Sequence, residues 1–176
     1  MIFTSHFFPL LPIALQTLQD LLIEELRDLY DAEHRILKAL PKMAKAASSA
    51  QLRTAFEDHL EKTQMHVKRL EEVFGFLDEK PKKKTCHGIM GLLEEGEEFI
   101  KDKKMNDNVR DAGLISAAQR VEHYEMAGYG CVRTFARILG HVEAEELLQQ
   151  TLDEEGNADK TLTEIAETAV NAQAVA

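Results

Sequence analysis

Residues Asp107–Leu139 read DNVRDAGLISAAQRVEHYEMAGYGCVRTFARIL, and one line through them decides the fold. Leu114, Ala118, Val121, Glu125, Gly128, Val132, Phe135 and Leu139 follow one another at alternating steps of four and three. That spacing keeps one side of an α-helix turned toward a neighbour, as along the seam of a helical bundle. The line is apolar except near its middle, where Glu125 lies on it and Glu122 one position beside it.

Three more segments carry the same pattern. About Leu15 to Ala47, the seam is Leu22, Leu26, Leu29, Glu33, Ile36 and Leu40. About Ser49 to Leu77, it is Leu52, Phe56, His59, Thr63, His66 and Leu70. About His141 to Val170, it is Leu148, Leu152, Glu155, Asp159, Leu162 and Ala166. No segment shows the strict alternation of a strand. Ser48-Ser49 and Asn106-Asp107 offer N-caps, and Gly140 suits the residue just past a helix end. Pro41 is expected to kink the first helix or end it near Leu40. The short breaks at Ser48 and Gly140 predict two antiparallel hairpins. Between them lies a long connection, Gly75 to Met105, with the basic run Lys82-Lys83-Lys84 and a short helical pattern beginning at Gly88. The expected fold is therefore all-α: a ferritin-like four-helix bundle of two antiparallel hairpins, with a long crossover carrying a short fifth helix. Residues 1–14 read as an apolar N-terminal extension, 15–171 as a single bundle domain and 172–176 as a tail.

Composition narrows the partners. The chain has 176 residues and a formal net charge of −10, with 44% hydrophobic residues, 9 Gly, 4 Pro and 2 Cys. One domain of this size buries a substantial core. The apolar content excludes a disordered chain, and so few Gly and Pro argue against a turn-rich β-sandwich. The acidic balance disfavours nucleic acid, which needs a basic surface. Two Cys make no disulfide scaffold and ask for no oxidising compartment. The apolar run Met1–Pro12 has no Lys or Arg before it and no small-x-small cleavage site after it. It is also far short of the roughly 20 residues that span a bilayer. The expected setting is soluble and cytoplasmic, without a membrane partner.

The polar seam positions fall near the middle of each helix, so they should meet at one level inside the bundle. The set is Glu33, His59, Thr63, His66, Glu122, Glu125, Glu155 and Asp159. Several carboxylates facing one core cannot all stay ionised and unpaired, because burying a bare charge is very costly. No Lys or Arg stands on these seams. Three compensations are open: a metal ion, raised carboxyl pKa values with shared protons, or a water-filled centre. Oxygen-rich ligands with one or two imidazoles suit iron or manganese. The candidate metal ligands are Glu33, His59, Glu122, Glu125, Glu155 and Asp159, for a mononuclear or dinuclear site. Thr63, His66 and Tyr129 would support them from outside, Tyr129 by hydrogen-bonding a carboxylate. The bland alternative is a polar layer of hydrogen bonds that fixes the register of the bundle. No Glu-x-x-His occurs in the chain, although paired-metal bundles use that motif on two of their helices. Cys131 reads as a buried helix residue.

Four stretches carry a resemblance: TLQDLLIEELRDLYDAE (17–33), FEDHLEKT (56–63), QRVEHYEMAGYG (119–130) and TLDEEGNADKTL (151–162). In this order they resemble the bacterial YciF/YciE stress-protein family, a ferritin-like group of unknown function. The resemblance covers nearly all of residues 17–170. It implies a two-hairpin bundle, a homodimer and a bacterial stress setting, and kinship with proteins that use paired metals for peroxide or oxygen chemistry. The functional expectation is a ferritin-like stress-response protein with iron or manganese at the mid-bundle site. The alternative is a non-catalytic dimeric stress protein acting through helical surfaces on an unidentified protein partner.

Overall fold

A computed structural model describes residues 15–175. The N-terminal extension therefore lies outside the described residues. Helix α1 spans Leu18–Ala46, α2 Ala50–Phe76, α3 His87–Lys101, α4 Asp107–Leu139 and α5 Val142–Ile165. One π-helical turn, Ala166–Val170, and a last turn, α6 at Asn171–Gln173, follow α5. Helix therefore continues into the stretch read as a tail. Among the described residues no helix is long and apolar enough to cross a membrane.

Local chemistry sets the helix starts. Thr17 accepts from the Asp20 backbone N–H, and Asp20 accepts in return from Thr17, a reciprocal capping box. The Ser49 and Asn106 side chains cap α2 and α4. Cys86 caps α3 through its sulfur. Gly140 takes a left-handed φ of 81° and turns α4 into α5, a conformation that costs glycine little. Of the kink or stop expected at Pro41, the stop near Leu40 does not occur. Pro41 lies inside α1, on its exposed face, and the turn beyond it is held by burial of Met43 and Ala44. Here tertiary packing outweighs the hydrogen bond that proline removes.

The two hairpins, α1–α2 and α4–α5, pack as a closed square in which α1 also meets α4 and α2 meets α5. The crossover returns along α1. Glu79 pairs with Arg27, the Lys84 N–H donates to the Arg27 carbonyl, and the Cys86 N–H donates to Asp31. It then lays α3 across α1 and α4. Consequently α4 begins at the end where α1 stops. There Asp111, 2% exposed, accepts the backbone N–H groups of Ser48 and Ser49 through its two oxygens, at 2.9 and 2.7 Å. This ties the first hairpin to the start of the second.

The apolar core is in two parts. One packs Ile36, Leu40, Leu52, Phe56, Leu114, Val121 and Leu162 toward the Asp111 end. The other packs Leu22, Leu26, Leu70, Phe74, Val132 and Leu148 toward the opposite end. Asp111→Ala should destabilise the protein by about 3 kcal/mol, because two backbone donors lose a charged acceptor. Asp111→Asn should cost about half as much. Urea unfolding followed by circular dichroism measures both.

Candidate metal centre

Between the two apolar clusters lies a single polar layer. Glu33 comes from α1, His59, Thr63 and His66 from α2, Glu122 and Glu125 from α4, and Glu155 from α5, and all are buried. They meet because each occupies an inward position near the middle of its helix. Gly128 helps bring α4 against α1: a Cβ there would stand 2.8 Å from Leu29 Cδ2.

The donor atoms form two overlapping sets. His59, Glu122, Glu125 and Glu155 make one, and Glu33, His66 and Glu155 the other; within each set the atoms lie within 4.8 Å of one another. Glu155 belongs to both. His59 Nε2 is 3.5 Å from Glu122 Oε1 and 3.7 Å from Glu155 Oε2. His66 Nδ1 is 2.9 Å from Glu155 Oε1 and 3.5 Å from Glu33 Oε1.

These atoms are largely without partners. Neither nitrogen of His59, neither oxygen of Glu125, nor Glu155 Oε2, Glu33 Oε2 or Glu122 Oε2 makes a hydrogen bond, while His66 Nδ1 and Glu155 Oε1 are paired with each other. Each buried polar atom left so costs about 1–3 kcal/mol, and more when charged. Among the described residues, the only basic side chains that reach these carboxylates are His59 and His66. Burial pushes the Glu122 and Glu125 carboxyls well above the ordinary carboxylate range, and their carboxylate neighbours push the same way. Burial also raises Glu33, with His66 working in the opposite direction. Burial lowers His59. For His66 burial acts against protonation, but Glu155 and Glu33 outweigh it and push the imidazole up to about 10. A layer without a metal must therefore hold protons, and the donor set suits a cation that would displace them.

A second set of residues holds the donors in place. Arg69 grips Glu154 through two nitrogens, at 2.7 and 2.8 Å, and Glu154 Oε2 meets His66 Nε2 at 2.8 Å. The Arg69 guanidinium holds Glu154 down to about 2, so Glu154 is an anion at neutral pH. A carboxylate on Nε2 assigns that nitrogen as the donor and turns Nδ1 toward Glu33 and Glu155. The Tyr129 hydroxyl, fully buried, donates to Glu33 Oε1. Burial raises its phenol well above the ordinary range, which keeps it a donor. Thr63 donates to the His59 carbonyl instead of to a carboxylate.

Three placements differ from the sequence reading. Asp159 is not brought into the layer. It is half-buried, accepts from Gln119 Nε2 at 3.0 Å and lies 3.3 Å from His123. The buried line of α5 is Leu148, Thr151, Glu155, Ala158 and Leu162, so Ala158 takes the inward place and Asp159 the flank. Both lines step by four and three through Glu155, and only packing selects between them. His66, read as a supporting residue, is fully buried and faces two carboxylates directly. Its spacing of seven from His59 puts both rings on one face of α2. Arg69 and Glu154 escaped the seam analysis, although His66-x-x-Arg69 is a one-turn pairing. Cys131 is exposed, whereas Cys86 is the buried thiol, raised by burial.

The family model described as "Domain of unknown function (DUF892)" matches residues 17–175. Protein YciF of Escherichia coli K12 is 42% identical over 161 residues, covering 91% of this chain and 96% of YciF. The crystal structure of the E. coli stress protein YciF superposes with a TM-score of 0.85, covering 89% of this chain and 99% of that one. YcfI of Rhodopseudomonas palustris is 40% identical with a TM-score of 0.83, over 87% of this chain and 97% of its own. A protein of Xanthomonas campestris, 19% identical, shares the fold at a TM-score of 0.70, over 89% and 95%. With a family model matched from residue 17 to 175 and YciF aligned nearly end to end, the chain belongs to the YciF-like DUF892 family.

Proposed function

We propose that the mid-bundle layer would hold a pair of iron or manganese ions, with Glu155 belonging to both donor sets. His59, Glu122 and Glu125 would serve one ion, and Glu33 and His66 the other. The observation that carries this reading is the convergence of buried donor atoms that lack any other partner. The set contains four carboxylates and two imidazoles. That is the donor count of bundles built on two Glu-x-x-His motifs. Here both imidazoles come from α2, two turns apart, which explains how the motif can be missing from the sequence. Four ionised carboxylates are neutralised by two divalent cations, and the oxygen-rich set suits iron or manganese.

Bound there, such ions supply redox chemistry toward peroxide or dioxygen. The chain's own residues exclude bulk water through the two apolar clusters and fix the donors from behind. Tyr129 keeps a proton on its phenol oxygen and presents it to Glu33. Glu154, clamped by Arg69, holds the Nε2 proton of His66 and leaves Nδ1 to face inward. We place this activity in a bacterial stress response, in a cytoplasmic homodimer. Support comes from the family resemblance and from a relative whose crystal structure is described as that of a stress protein.

Protein purified without added metal and incubated anaerobically with Fe(II) or Mn(II) should bind close to two ions per chain by elemental analysis. Glu125→Ala and His59→Ala should each lower that number, and a wild-type value under a tenth of an ion overturns the reading. Binding should release protons, since raised carboxyls and His66 must give them up. Affinity should therefore rise with pH through the neutral range and level off only above pH 10, once His66 has lost its proton. Titrations in buffers of different ionisation enthalpy count the protons. Arg69→Ala leaves all six donors in place, yet should weaken metal binding by about 10–100-fold by freeing Glu154. Competition with a chromogenic chelator measures the loss.

A further inference from the structure

A cavity of about 100 Å³ lies between α2 and α5, and it reaches the centre. Its inner wall includes His59 and Glu122, two of the buried donors. Its sides are Ala55 and Phe56 of α2 and Ala158 and Leu162 of α5. Its rim is Asp58, Lys62 and Thr161, all exposed. Both nitrogens of His59 lack a hydrogen-bond partner, although the residue is only 6% exposed. Several other sides of the layer are covered. The apolar clusters cover it on the two sides along the bundle axis. Helix α3 lies over the α1–α4 face. Farther along the α2–α5 face, Arg69, Glu154 and Thr151 hydrogen-bond across the groove. The gap stays open because the inward places beside it belong to Ala55 and Ala158, the smallest side chains that still support a helix.

We propose that this cavity is the port through which a divalent metal ion reaches the mid-bundle centre, with His59 the first buried donor it meets. The inference rests on the metal-binding reading above. The rim sets the rate by charge: Asp58 draws a cation in and Lys62 opposes it, so salt damps both effects. Thr161 adds a neutral hydroxyl.

The test is the rate of Co(II) uptake by the full chain, followed by its d–d absorption in a stopped-flow instrument, with the final stoichiometry measured separately. Ala158→Leu should slow uptake at least tenfold and leave the number of ions bound at equilibrium unchanged. Ala55→Met, from the opposite wall, should do the same. Lys62→Gln should speed uptake a few-fold and Asp58→Asn slow it a few-fold, both differences fading in 0.5 M salt as charges are screened. If the cavity were only a packing gap, Ala158→Leu would raise the unfolding midpoint and leave the uptake rate at the wild-type value. That result in the folded Ala158→Leu and Ala55→Met proteins overturns the port. Should the wall variants fail to fold, unchanged rates in both exposed rim variants overturn it instead. A wild-type chain that takes up no Co(II), even after prolonged incubation, overturns the underlying metal reading and not the route.

Discussion

Four glutamates and two histidines share one level of a largely apolar interior, and among the described residues no lysine or arginine reaches their inward-facing atoms. The rest of the structure is arranged around that constraint. Charges taken out of water without partners cost several kcal/mol each, so this layer would destabilise the fold unless protons or cations neutralise it. The apolar clusters on either side supply the burial that holds the bundle closed around it. They also remove the water that would otherwise solvate the carboxylates, and so create the demand for a counterpart.

The supporting contacts act on geometry and protonation together. Arg69 and Glu154 stand at the groove between α2 and α5, outside the layer, yet they decide which nitrogen of His66 faces inward. Tyr129 performs the corresponding task for Glu33 from α4. Gly128, one residue before Tyr129, allows the close approach to Leu29 that brings the phenol within reach. Asp111 works at a distance. By joining the first hairpin to the start of α4, it fixes the relative height of the two hairpins, and with it the level at which Glu122 and Glu125 meet Glu33 and His59.

Much of this was legible in the chain because a bundle seam is a one-dimensional signal. Glu33, His59, Glu125 and Glu155 interrupt apolar lines near the middle of their helices, with Glu122 beside one of them, and helices of similar length bring their middles together. Pro41 does not end the helix because its effect depends on which face it occupies; on the solvent side, with Met43 and Ala44 buried beyond it, the helix carries on. Cys131 misled because its neighbours in sequence are apolar while its face of α4 points outward. Asp159 misled because steps of four and three can be taken in either order through Glu155.

The sequence by itself determined the all-α class, the two hairpins and their long crossover, and the presence of a mid-bundle acidic layer. These follow from periodicity and from residues that start and stop helices, which act over a few positions. Only the tertiary structure decided which side chains close on a common point. It made Ala158 rather than Asp159 the inward residue of α5, moved His66 from the edge to the centre, and set Glu155 within reach of both imidazoles. The reason is that the sequence sets the angles between side chains around one helix but not the rotation of that helix about its own axis. That rotation is set by what its neighbours leave room for.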